Sequence, residues 1–330
     1  MIELNTPEMK FALETVRQAA LLVKKVQLEM VSDALTKGDK SPVTVADFAA
    51  QALVSQRLQQ AFPSDALVGE EDSGELRKPE EADKLSRITA FISGYIPQAT
   101  PELVADWIDY GNAEPTQRYW TVDPIDGTKG FLRGEQYAVA LALLIDGKVE
   151  LGVLGCPNLS GGSSQDIGGL GSLIFARRGQ GTWTMPLESE ADPVRLHTSD
   201  IQDNAQARFL RSFESGHTNV SQLDVIGEKM GVAAEPVRLD SQAKYAILAA
   251  GEGDLIFRLI SAKMPDYKEK IWDQAAGLIV AEEAGGKVTD LDGKALDFTQ
   301  GRTLANNRGV LASNSHLHQA ALEAIKASGA

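Results

Sequence analysis

Two apolar runs, residues 137–145 and 148–154, are separated only by Asp146-Gly147. Asp-Gly between hydrophobic runs is the strongest short-range hairpin signal, because both central turn positions need positive φ and these residues accept it. An antiparallel sheet is therefore required in the first half of the chain. The second half is patterned differently. Strands are expected at 207–212, 254–259, 287–289 and 310–312, alternating with helices at 220–230, 241–250, 272–284 and 317–327, which reads as α/β. Between the halves, residues 186–193 form an acidic stretch with two prolines. The 330 residues thus divide into an α+β unit over 1–190 and an α/β unit over 191–330.

Within the first unit, Met9, Ala12, Leu13, Val16, Ala19, Ala20, Val23, Val26 and Met30 recur at helical steps after Thr6-Pro7-Glu8, predicting one long amphipathic helix. A polar segment, residues 36–42, interrupts it. Thr44-x-x-Asp47 reads as a capping box that opens a second helix and puts Asp47 in its first turn. Residues 66–68 form a strand running into Gly69-Glu70-Glu71-Asp72, surface helices are expected at 85–92 and 103–108, and residues 119–122 form a strand ending at Asp123-Pro124-Ile125-Asp126-Gly127-Thr128. Residues 160–171, rich in Gly and Ser, are a loop, and 173–177 a further strand.

Charge excludes several partner classes. With 32 Lys+Arg against 46 Asp+Glu the chain carries a net charge of −14, which repels nucleic-acid backbones and anionic membrane surfaces. One cysteine, Cys156, cannot close a disulfide within the chain, and no leader-like or membrane-spanning apolar stretch is present. A cytoplasmic location, a monomeric state and no nucleic-acid or membrane partner are the expectations.

The chemistry-bearing residues are carboxylates. Asp123 and Asp126 flank a Pro-restricted backbone and can turn, with the Ile125 carbonyl, toward one point, a hard-oxygen set of the kind Mg²⁺ takes; a type I turn would use the same residues. Glu70 and Glu71 form either a second acidic point or a solvated loop. Asp47 and Asp273 serve equally well as helix-start residues. What joins them is placement at strand ends or helix starts, from which side chains project into a shared crevice. None of this set is His or Cys, which suits Mg²⁺ and not zinc. His316-x-His318 is expected on the surface. No Gly-x-Ser-x-Gly supports a nucleophilic serine, and the glycine run at 168–171 lacks a following Lys-Ser/Thr. On a helix over 241–250, Ser241 and Lys244 would share a face, and Arg258 at a strand end offers a planar fork for phosphate.

Three blocks in order, Val68-Gly69-Glu70-Glu71, Trp120-Thr121-Val122-Asp123-Pro124-Ile125-Asp126-Gly127-Thr128 and Ile271-Trp272-Asp273-Gln274-Ala275-Ala276-Gly277 leading to Glu283-Ala284-Gly285-Gly286, resemble the lithium-sensitive, magnesium-dependent phosphatase superfamily of inositol monophosphatases and fructose-1,6-bisphosphatases. Ser41-Pro42-Val43-Thr44-Val45-Ala46-Asp47, Ser241-Gln242-Ala243-Lys244-Tyr245 and Tyr267-x-Glu269-Lys270-Ile271-Trp272-Asp273 look most like its 3′(2′),5′-bisphosphate nucleotidases. The resemblance implies a layered α-β-α-β-α sugar-phosphatase fold and Mg²⁺-dependent hydrolysis of the 3′-phosphate of adenosine 3′,5′-bisphosphate or its sulfated form, 3′-phosphoadenylyl sulfate. An inositol-phosphate phosphatase is the alternative. It further implies two or three Mg²⁺: one on Glu70, Asp123 and the Ile125 carbonyl, a second on Asp123, Asp126 and Asp273, a weaker third on Asp47 and Glu70. Thr128, paired with Asp47, would orient or deprotonate the attacking water. Gly127, Thr128, His217, Ser241, Lys244, Arg258 and Asp273 would contact substrate, and Li⁺ would inhibit.

Overall fold

The computed structural model describes residues 2–31, 41–189, 191–213, 220–261 and 263–329. His217 lies outside them. Helix α1 (Pro7–Val26) starts as the sequence indicates: Pro7 occupies the first turn, where a missing N–H costs nothing, and the Thr6 hydroxyl accepts from the Met9 N–H at 3.4 Å. It continues as a π-helical turn through Gln27–Val31. Helix α2 (Ser41–Ala61) begins earlier than the capping box suggests, because Pro42 is tolerated in a first turn. Asp47 therefore stands on the second turn, not the first, and is only 7% exposed. Helices α3 (Ala82–Ser93) and α4 (Pro101–Asp109) follow strand β1 (Ala66–Gly69).

Strands β2 (Arg118–Asp126), β3 (Ala138–Ile145) and β4 (Lys148–Cys156) are consecutive neighbours in a seven-stranded sheet among the described residues. The helix α5 (Thr128–Arg133) lies between β2 and β3. Asp146 and Gly147 turn the β3–β4 hairpin with φ of 52° and 73°, the double positive that a two-residue hairpin turn demands. After a short ribbon, β5 (Leu159–Ser160) with β6 (Ser164–Gln165), the sheet is completed by β7 (Ser172–Arg177), β8 (Thr182–Pro186) and β9 (Val194–Leu196). Its order is β1-β2-β3-β4-β7-β8-β9, with only β1 and β2 parallel. Because Trp183 on β8 pairs with Arg195 on β9, the division expected at 190/191 cuts inside this sheet.

The second half supplies β10 (Phe209–Arg211), α6 (Val220–Met230), β11 (Val237–Arg238), α7 (Ala243–Ala249), β12 (Leu255–Arg258), α8 (Ala275–Glu283), β13 (Lys287–Thr289), β14 (Val310–Ser313) and α9 (His318–Ser328). Its five strands run β11-β10-β12-β14-β13, so the last strand in the chain sits between two earlier ones. Three cores stack through the molecule. Met9, Val16, Leu53, Trp120 and Val122 fill the space between α1/α2 and the first sheet. Leu154, Ile174, Ala276 and Ile279 fill that between the first sheet and α7/α8, continuous with Ile256 and Ala312 of the second sheet. Phe209, Ile226, Leu311 and Ile325 pack α6 and α9 on its far side. This is the α-β-α-β-α layering.

His318 departs from the surface expectation. It is 2% exposed, its Nδ1 lying 2.8 Å from Ser313 Oγ and its Nε2 2.9 Å from Thr289 Oγ1. The Thr289 hydroxyl already donates to the Asp290 carbonyl, so Nε2 carries the proton and Nδ1 accepts. Burial, with Lys287 nearby, pulls the imidazole pKa down from 6.5 to about 4. An unfolded His binds its proton at higher pH than this one, so the neutral ring's stabilisation is complete above pH 6.5 and is lost as pH falls toward 4. His318→Asn should therefore lie furthest below wild type in melting temperature near pH 7, with the gap narrowing by pH 4.5. A gap independent of pH would disprove the neutral buried ring.

Candidate active site

Residues three apart on a regular strand point to opposite faces. On β2, Asp123 pairs with Ala140 and Asp126 with Ala138, three residues against two, so an extra residue is accommodated at Pro124-Ile125. This bulge brings both carboxylates to the same side of the sheet. Pro124 suits it, having no N–H to leave unpaired. The alternative of an ordinary type I turn is thereby replaced by a bulged strand end. Ile125 buries its side chain in the first core yet borders the cleft, which leaves its main chain there.

The chain leaves β2 through Gly127, whose φ is +92°; a Cβ there would meet the Ser241 Cβ at 2.7 Å. Glycine is required both for the conformation and for contact between the halves. Thr128 follows as the first residue of α5, exposed on a cleft of about 510 Å³ that Glu70, Asp123, Asp126, Lys244 and Asp273 also line. Asp47 is buried on α2, and no side-chain hydrogen bond joins it to Thr128 among the described residues; the charged groups acting on it are Glu71 and Glu70.

Glu70 follows strand β1. Gly69 gives the Gln51 side chain the space it needs, with a Cβ position only 2.5 Å from Gln51 Oε1. Gln51, one turn after Asp47 on α2, accepts from the Glu71 N–H at 3.0 Å and donates to the Glu71 carbonyl at 2.6 Å and the Ile108 carbonyl at 2.9 Å. Its buried amide pins the acidic loop to the first half. Nothing in its sequence context marked it.

The opposite wall comes from the second half. Ser241 precedes α7 with φ of +69°, so the helical i, i+3 relation to Lys244 does not hold, although both reach the cleft. The Gln242 N–H donates to Asp126 Oδ2 at 2.6 Å, while its side chain donates to the Trp272 carbonyl at 3.0 Å and accepts from the Gly277 N–H at 3.0 Å. Lys244 Nζ donates to Ser212 Oγ at 2.8 Å. Asp273 stands two residues before α8. Arg258, at the end of β12, gives its fork to Glu269 at 2.8 Å and reaches Asp273 Oδ2 at 3.4 Å, and Glu269 also accepts from Gln274 at 2.8 Å. Glu269, Gln242 and Gln274 thus support the site, a role the motifs containing them did not assign.

Electrostatics follow from crowding. Burial first, then Glu70, Asp126, Asp273 and Asp47 together, push Asp123 well above the usual carboxylate range; burial likewise raises Asp47 and Asp273. Burial also raises Asp126, but Arg258, Lys244 and the Gln242 N–H hold it back. Glu71 is pushed up to about 7 by burial and then by Glu70 and Asp72. Lys244 is pulled down to about 8 by burial and by Arg258.

Among the described residues, no three His, Cys, Asp or Glu side chains stand grouped to hold an ion as they are. The donors nevertheless fit a hard divalent cation. Asp123 Oδ1 is buried with no hydrogen-bond partner, and Glu70, Asp126, Asp273 and Asp47 all act on Asp123 as like charges, a hard-oxygen set beside which Lys244, Lys270 and Arg258 line the same cleft.

The sequence model of the inositol monophosphatase family matches residues 4–330. The 3′(2′),5′-bisphosphate nucleotidase of Schizosaccharomyces pombe is 42% identical over 97% of this chain and 95% of its own, and that of Oryza sativa 42% over 97% and 93%. Among solved structures, the Thermotoga maritima IMPase and Mycobacterium tuberculosis SuhB each superpose with a TM-score of 0.64 at 19% identity, covering 98% of this chain and 98% of theirs. Those two likenesses speak to the fold.

Proposed function

The chain belongs to the inositol monophosphatase family, and from that premise we propose that it removes the 3′-phosphate of adenosine 3′,5′-bisphosphate, or of its sulfated form, giving AMP or adenylyl sulfate and phosphate. The observation that carries this reading is likeness along nearly the whole chain, at 42% identity, to enzymes named for that reaction. The cleft supports it: a carboxylate wall from the first half faces Lys244 and Ser241 of the second.

In this reading Glu70, Asp123, the Ile125 carbonyl, Asp126 and Asp273 hold two Mg²⁺, and Asp47 with Glu70 contributes to a third position. Bound Mg²⁺ supplies Lewis acidity to phosphoryl and water oxygens. The protein's own groups do the positioning. Thr128 lines the cleft and would orient the attacking water; its pairing with Asp47 rests on the resemblance alone. Gln242 fixes Asp126 through the main chain. Arg258 orients Asp273 and adds positive charge to the phosphate site, and Ser241 and Lys244 meet the 5′-phosphate. His217 keeps its proposed nucleotide contact on the resemblance alone.

Phosphate release in Mg²⁺ from adenosine 3′,5′-bisphosphate, inositol 1,4-bisphosphate and fructose 1,6-bisphosphate tests the substrate directly. The nucleotide should be preferred; an inositol preference would overturn the reading. Lys244→Ala sharpens the test, because charge-assisted hydrogen bonds contribute roughly 1.5–3 kcal/mol, or ~10- to 150-fold in kcat/KM. That loss is expected on the bisphosphate and not on adenosine 3′-monophosphate, which lacks the second anion. Equal losses would remove Lys244 from the 5′-phosphate.

A further inference from the structure

Arg302 lies in the connection between β13 and β14, outside every motif singled out in the sequence. Its guanidinium donates to the Gly69 carbonyl from Nη2, and from Nη1 to the carbonyls of Gly111 at 3.3 Å and Ala113 at 3.1 Å. The same group lies over the Trp272 indole, 5.0 Å from the ring centroid, with the Lys270 ammonium 5.7 Å from that centroid. The main chain locks the arrangement. The Arg302 carbonyl accepts from the Ile271 N–H at 3.2 Å, Thr303 bridges Lys270, and the Leu304 N–H donates to the Glu269 carbonyl at 2.9 Å.

One side chain therefore holds the carbonyl immediately before Glu70 and the ring immediately before Asp273. We infer that Arg302 is a positioning residue that sets the separation of Glu70, carried by the first half, from Asp273, carried by the second. The inference rests on the Mg²⁺ reading of the carboxylate cleft. Gln51 cannot do this work, since it and the loop it ties belong to the same half. Gln242 crosses between the halves but acts on Asp126. Only a planar cation with several divergent N–H groups can serve carbonyls at its edge while its face lies on an aromatic ring, so lysine is a poor replacement.

The test is calorimetric titration of Mg²⁺ into the full chain without substrate, for wild type, Arg302→Met and Arg302→Lys, beside thermal melting in EDTA. Groups that orient metal ligands typically change metal affinity by roughly 10- to 100-fold when removed, and that loss is expected for Arg302→Met, with Arg302→Lys between it and wild type. The Mg²⁺ concentration for half-maximal phosphate release should rise by the same factor, with kcat recovered at saturating Mg²⁺. A folded Arg302→Met that binds Mg²⁺ like wild type, or one whose melting temperature alone falls, would overturn the inference. Should Arg302→Met fail to fold, the same titration of Arg302→Lys decides. Wild-type protein that binds no Mg²⁺ would overturn the metal reading itself, and the inference with it.

Discussion

Asp126→Asn should lower kcat by roughly a thousandfold or more at saturating Mg²⁺, because the proposed site loses an anionic ligand where charge must be balanced during phosphoryl transfer. The fold should be untouched. The amide oxygen of Asn can still accept from the Gln242 N–H, the 2.6 Å bond through which Asp126 meets the second half. The metal-free variant should moreover melt at the same or a higher temperature than wild type. Asp126 has its pKa raised, chiefly by burial, so its contribution to stability is present at low pH and lost as pH rises through the folded pKa. Burying a charge there costs stability, and Asn, which stays neutral, avoids that cost. Activity and stability thus move in opposite directions, as residues kept for chemistry often require. Turnover near wild type at saturating Mg²⁺ would take Asp126 out of the site.

Thr128→Ala carries the second large effect, a fall of ~10²–10⁴ in kcat with KM little changed, the span usual for acid–base assistance. Thr128 is exposed on the cleft as the first residue of α5, and the turn before it is set by Gly127 and not by Thr128. Removing its hydroxyl therefore disturbs no packing. Thr128→Ser, which keeps the hydroxyl, should retain most of the activity. A change confined to KM would make Thr128 a binding group, and equal losses in the Ala and Ser variants would point to the lost methyl group.

What could be read from the sequence was what local rules govern. The Asp146-Gly147 hairpin, the α1 start at Thr6-Pro7 and the acidic motifs at the ends of β1 and β2 follow from turn chemistry, capping and periodicity acting over a few residues. The capping-box reading places Asp47 one helical turn too early, since the first turn of α2 accommodates Pro42. The β2 bulge escaped because register is a property of the pair: Ala138 and Ala140 decide which way Asp126 faces. Gln51, Gln242 and Glu269 escaped for a similar reason. Gln51 and Gln242 work through partners remote in sequence, Gln242 meeting Asp126 116 positions away, while Glu269 works through Arg258 and Gln274, which only the turn of the chain after β12 brings together; no spacing rule marks such residues. The spacing suggests a helical Ser241 because nothing local announces a left-handed serine, which the crossing at Gly127 accompanies. The surface expectation misses His318 because its two hydroxyl partners come from Thr289 and Ser313, of which only the second is near in sequence.

The position of β14 bears on how the protein is made. Strand Val310–Ser313 is translated after its neighbours in the second sheet, yet it is the strand that joins β12 to β13. Until it has left the ribosome, the flank of β12 bearing Arg258 and the inner flank of β13 have no pairing partner. Unpaired strand flanks recruit other chains. The hydrolytic site inherits this schedule. Arg258 pairs with Val310, so the Arg258 strand gains its second neighbour only once β14 has been made. By this connectivity the flank of β12 that takes β14 is an edge the second sheet leaves open until the chain is nearly complete.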